Sequence, residues 1–117
     1  MPNQYQSEPQ IVAVVSGFEN CTTDKADFTH LSHLTVATYY LRTSTPDEAF
    51  QKMRSGLLRF LDHHGVGQTK YKDRLTWAWI EAIQTVIEQT EPHSSLVAVT
   101  NEVIARLGES RITVEDD

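Results

Sequence analysis

A chain of 117 residues, 39% hydrophobic and 22% charged, has the size and composition of one soluble globular domain with a core that needs no staple. Its formal charge of −6 repels phosphate backbones and argues against nucleic acid as a partner. The single cysteine, Cys21, excludes an internal disulfide, no apolar run spans a bilayer and no basic-then-apolar leader opens the chain, so the expected setting is a reducing cytoplasm with no membrane.

In chain order, residues 1–8 are polar with a proline and read as a flexible lead-in. Ile11, Val14, Val15 and Phe18 then recur at helical spacing and predict a helix over about 9–20. The same stretch is β-rich, so a strand competes, and Gly17 weakens the helix. In CTTDKADF, Asp27, or Thr29 just after it, can cap a second helix over about 30–42. Leu31, Leu34, Val36, Ala37, Tyr39, Tyr40 and Leu41 cover most of that helix's circumference, the pattern of a helix at the centre of a core.

Thr45, Pro46 and Glu48 form a cap, first-turn proline and capping box, the sharpest helix start in the chain. The third helix lines up Phe50, Met53, Leu57, Phe60, Leu61 and His64, and Gly65 suits its left-handed end. A fourth helix over about 73–89 turns Leu75, Trp79, Ile83 and Val86 inward, widened by Trp77 and Ile80. Ser94 or Ser95 caps a fifth, with Leu96, Val99, Val103 and Leu107 inward and Gly108 at its end. Residues 109–117 read as a loose acidic tail. The sum is an all-α, single-domain bundle of about five helices, with residues 9–108 as the folded unit.

His30 and His33, at i and i+3 on the second helix, share one face with Leu34, Ala37 and Leu41. Two imidazoles on one face can bind a transition metal or move protons, or they can be two hydrogen-bonded structural residues. One pair is short of the three or four ligands zinc takes, and no HExxH motif completes it. His64 is placed to face inward, His63 and His93 outward, and Asp73 is the nearest carboxylate, or simply a first-turn acid favoured by the helix dipole. Cys21 reads as a small buried thiol more readily than as a nucleophile. Glycine-rich phosphate loops, a GxSxG elbow, cysteine pairs and a basic stripe are all absent.

The segments FENCTTDKADFTHLSHLTVATYYL, DEAFQKMRSGLLRFLDHHGV and TKYKDRLTWAWIEAI together resemble an uncharacterised family of small bacterial all-helical proteins. Its members carry Cys-Thr, then Trp-Thr-His-x-x-His-Leu, then Tyr-His-Glu-Thr-x-Thr before a tryptophan-containing helix. The resemblance implies no reaction, but it singles out Cys21, Thr22, Thr29, His30, His33 and Tyr71. It also exposes a departure: Lys72 stands where the family motif has histidine, with Asp73 and Arg74 in place of its glutamate and threonine. A typical member would gather three histidines and a carboxylate; here an ammonium replaces one ligand. Lys72 is then a cation in the metal's place, an amine or base activated by burial, or a residue that snorkels to solvent.

The expectation is a pocket between the second, third and fourth helices. His30, His33, Tyr71 and Lys72 would carry acid–base chemistry, Thr29, His64 and Asp73 would contact the ligand, and His30 and His33 would hold a divalent transition metal if the occupant is one rather than a small molecule. The alternative is a non-enzymatic helical module that meets a partner or pairs as a homodimer.

Overall fold

The structure, a computed structural model, describes residues 4–112. Five α-helices follow one another: α1 Glu8–Glu19, α2 His30–Thr43, α3 Pro46–His63, α4 Asp73–Glu88 and α5 Leu96–Leu107, with a 3₁₀ turn, Gln68–Lys70, before α4. No strand occurs among the described residues, so the domain is all-α, and residues 11–19 are helix rather than the competing strand. None of these helices is long and apolar enough to cross a membrane.

The helix starts follow local chemistry. Thr45 Oγ1 accepts from the Glu48 N–H while Glu48 Oε1 accepts from the Thr45 N–H, closing the capping box. Ser95 Oγ accepts from the Ala98 N–H, so Ser95, not Ser94, caps α5. At Thr29, which starts α2, the N–H donates to Ser32 Oγ. Two helix ends share one design. After α3, the Val66 N–H reaches Leu61 O and the Gly65 N–H reaches Asp62 O, with Gly65 left-handed at φ 71°. After α1, Thr22 reaches Gly17 O and Cys21 reaches Phe18 O, with Cys21 in the glycine-like position at φ 57°. A non-glycine residue held there is unusual; burial of the thiol in the core accompanies it.

α2 is the hub, in contact with α1, α3, α4 and α5. Seven of its residues, from Leu34 to Leu41, are buried, as its wide apolar arc predicts. Its buried threonines satisfy their hydroxyls on the helix itself: Thr35 Oγ1 donates to Leu31 O at 2.7 Å and Thr38 Oγ1 to Leu34 O at 2.6 Å. Phe18, fully buried, stacks on Phe28 at 4.8 Å between centroids and meets Phe60 at 5.8 Å. Burying a phenylalanine is worth about 2–3 kcal/mol, so this cluster anchors α1 and the α1–α2 loop onto α3. α3 admits the ring because Gly56 faces it: a Cβ there would lie 2.5 Å from Phe18 Cε2.

The stripes predicted for α3, α4 and α5 face the interior, but only part of each is fully buried. α3 buries Ala49, Met53, Gly56 and Phe60, leaving Phe50, Leu57 and Leu61 half-buried on its flank. α4 buries Ile80, Ile83 and Val86, and its two tryptophans are half-buried. α5 buries Val99, Thr100 and Val103, leaving Leu96 and Leu107 half-buried. The lead-in is not loose at Tyr5, which is buried. Its Oη lies 2.9 Å from Thr35 Oγ1 and its backbone bonds both ways with the Asn101 side chain. Residues 1–3 and the tail beyond Ile112, both part of the expected loose ends, lie outside the described residues.

Candidate functional site

A hollow of about 450 Å³, open on one side, lies between α2, α3 and α4. Its walls are mostly apolar: Leu34 and Ala37 from α2, Met53, Leu57 and Leu61 from α3, Leu75, Trp79, Ile80 and Ile83 from α4. A few polar groups join them: Thr29, His30 and His33 at the start of α2, Tyr71 and Lys72 just before α4, and Thr76 in its first turn. Pockets of this size and balance are typical small-molecule sites.

Both imidazoles of the His-x-x-His pair line the hollow, as their shared helix face requires. They are not equivalent. His30 packs on Trp79 at 4.8 Å, and its Nε2 lies 3.1 Å from Leu107 O at the end of α5. A carbonyl only accepts, so in the neutral ring Nε2 carries the proton and Nδ1 is left as an acceptor. His33 has no hydrogen-bond partner among the described residues and meets Phe28 edge-on at 4.7 Å. Desolvation by burial, with the nearby His30 second, lowers its pKa from 6.5 to about 4.

Tyr71 brings a second unsatisfied group. Its Oη is buried without a hydrogen-bond partner; Thr76 and Asp73 stand close without closing a bond in good geometry. Burial first, and the Asp73 carboxylate second, push the phenol up to about 12, so it remains a neutral donor. Thr76 Oγ1 donates to Lys72 O at 3.2 Å, which leaves its lone pairs facing outward from that bond. Thr29 Oγ1 lies 3.3 Å from Ser32 Oγ.

Three expected members are placed otherwise. Lys72 lines the hollow, but from the extended N-cap position of α4 (φ −135°, ψ 119°), exposed at the mouth rather than on an inward helical stripe. Helical extrapolation fails there because the helix has not begun. Asp73 is off the hollow: it is exposed, in the first turn of α4, and pairs with Arg54 Nε at 3.1 Å. His64 is also off it. At the C-cap of α3 the backbone leaves the helical path, and the ring lies 4.4 Å from Phe60 with Nε2 buried and unpartnered. His63 and His93 are exposed, and Cys21 is a buried thiol in the core cluster.

Thr76 was missed as a polar wall residue of the hollow, although its i, i+3 spacing with the inward Trp79 on α4 carried the signal. The donor set for a metal does not assemble: no group of three or more His, Cys, Asp or Glu converges among the described residues, and the His30 Nε2 is turned to a backbone carbonyl. Exposed large apolar side chains among the described residues are Val12, in α1, and Val66, in the α3–α4 connection. No family model, curated protein or solved structure matches this chain.

Proposed function

We propose that the protein binds a largely apolar small molecule in the hollow between α2, α3 and α4, oriented by His33 and Tyr71. The observation that carries this reading is a 450 Å³ apolar space beside His33 and Tyr71, neither of which has a hydrogen-bond partner among the described residues. Interiors are normally close-packed and buried polar groups normally paired, so a void and unpaired polar groups in one place support a missing occupant.

Binding is favoured over proton abstraction. A general base works best with a pKa near the operating pH, and a ring held near 4 is a weak base at neutrality. It is instead a neutral hydrogen-bonding group at any pH above about 5. Lys72, exposed at the mouth, supplies a positive charge at the opening rather than a buried reactive amine.

The test uses a neutral, solvatochromic naphthylamine dye as probe. The wild-type chain is expected to take it up with a blue shift in emission, and Ala37→Leu, which builds three carbons into the hollow, to lose uptake at least tenfold with helicity retained. Equal uptake by both proteins would place the dye elsewhere and remove the hollow as the site.

A further inference from the structure

The polar groups around the hollow also constrain what the occupant carries. His33 in its neutral form presents one donor and one acceptor, both unused among the described residues. His30 has spent its proton on Leu107 O and keeps an acceptor. Thr76 has spent its proton on Lys72 O and keeps lone pairs. Tyr71 Oη–H is an unspent donor with no partner. The set therefore lacks one partner that both donates and accepts. A carboxylate or carbonyl only accepts and would leave the imidazole lone pairs unmet; an ammonium only donates. A charged group would also lose its water against mostly apolar walls. Lys72 is the cation on the lining and sits exposed at the mouth.

Resting on the reading of the hollow as a binding site, we infer that its ligand is an uncharged apolar molecule bearing a hydroxyl, an alcohol or phenol, whose O–H donates to the His33 imidazole and whose oxygen accepts from Tyr71. The aromatic members of the wall, Phe28 and Trp79, suit a ring as the apolar body. An unpaired buried donor or acceptor is expensive, so a site of this kind discriminates strongly against the same body without its hydroxyl.

Equilibrium dialysis at neutral pH with naphthalene, naphthol and naphthoate tests this. These probes share one apolar body and differ in the group under test. Naphthol is expected to bind about tenfold or more tightly than either of the others, the effect of one well-made hydrogen bond to a desolvated group. In His33→Leu the naphthol preference should fall to about one, with naphthalene affinity kept as the control for an intact hollow. His33→Gln, which retains a donor and an acceptor, should recover part of it, and Tyr71→Phe should lose part of it. Equal binding of naphthalene and naphthol, or tightest binding of naphthoate, would overturn the hydroxyl assignment while leaving the hollow as a binding site. An unchanged naphthol preference in both His33→Leu and Tyr71→Phe would overturn it too. Binding of none of the three would remove the underlying reading as well.

Discussion

Two stripes of α2 lie side by side and end in opposite kinds of interior. Leu31 and Thr35 carry the closed one: Leu31 Cδ2 packs close to Gly108 after α5, and Tyr5 closes over Thr35. There, hydroxyls turn back onto their own helix, so small side chains let neighbouring elements come near without stranding a polar atom. His30, His33, Leu34 and Ala37 carry the open one, facing α3 and α4 across a gap. Both stripes carry buried residues; what differs is that the second faces a gap, beside which the His33 ring is left without a hydrogen-bond partner among the described residues. A fold able to seat Tyr5 on Thr35 has the means to fill a space beside Ala37, and the side left unfilled is the one lined by unpaired imidazole and phenol groups.

The sharpest way to break this comparison is to enlarge adjacent residues of α2. Thr38 is fully buried off the hollow, and Thr38→Leu should destabilise the fold by about 2–3 kcal/mol through overpacking. Ala37→Leu grows into the hollow and should change stability by less than about 1 kcal/mol in either direction. Urea denaturation of the two variants reads both values. Comparable losses in the two would mean that the space beside Ala37 closes in solution.

The next effect is a dependence on pH. His33 is protonated below 6.5 in the unfolded chain but only below about 4 in the fold. Its contribution to stability is therefore fully present above pH 6.5 and drains away as pH falls toward 4, because the unfolded chain takes up the proton first. Between pH 7.5 and 4.5 the loss is roughly 2–3 kcal/mol at about 1.36 kcal/mol per pKa unit. Carboxylates elsewhere titrate in part of that range, so the measurement is a difference. Wild type should lose that much more stability than His33→Leu between the two pH values. Parallel pH profiles would mean that His33 is open to water.

How much of this was legible follows from what each feature depends on. The Thr45 cap, the Gly65 stop and the co-facial imidazoles depend on residues within a turn of one another, and the sequence displays them directly. The central place of α2 was equally readable, because few helices can afford an apolar arc that wide anywhere else. Which residues of the α3, α4 and α5 stripes are fully buried was less so. Each has an apolar face wider than its contact, and docking chose Gly56 over Leu57 because only glycine lets Phe18 reach the helix. Tyr5 on Asn101 spans 96 residues, beyond any local pattern. The hollow itself was inferred from the two histidines and the polar residues around Tyr71, not from its walls, since a void depends on side chains that fail to meet. Lys72 reaches the hollow from outside the helix, His64 turns inward onto Phe60 rather than into the hollow, and Asp73 takes the first-turn place that was its other reading; Lys72 and His64 sit at helix ends, where extrapolating a helical face stops being valid.

The packing of α1 on α3 offers a smaller test at Gly56. Alanine gains up to about 1 kcal/mol of helix propensity there. Against that, its Cβ would meet a Phe18 ring that is fully buried and packed against Phe28 and Phe60. The net expectation is a loss of about 1–2 kcal/mol by thermal or urea denaturation, with the aromatic near-ultraviolet signal altered. A more stable Gly56→Ala would show that the Phe18 stack gives way easily, Phe28 yielding toward the hollow that it lines.

The smallest effect belongs to Asp73, at the rim. Its carboxylate and Arg54 are each about half exposed, with side-chain accessibilities of 54% and 44%, so solvent screens the pair and its coupling is worth at most about 0.5 kcal/mol. Its place in the first turn of α4 adds a helix-dipole contribution of about the same size. Asp73→Asn should therefore cost under about 1 kcal/mol, with the difference shrinking in high salt. It should also leave uptake of the neutral dye within about twofold of wild type, because Asp73 does not line the hollow and asparagine keeps an oxygen beside Tyr71. Dye uptake that collapsed in Asp73→Asn while folding stayed intact would move the polar end of the site from His33 and Tyr71 out to the mouth, and would restore the carboxylate as a ligand contact.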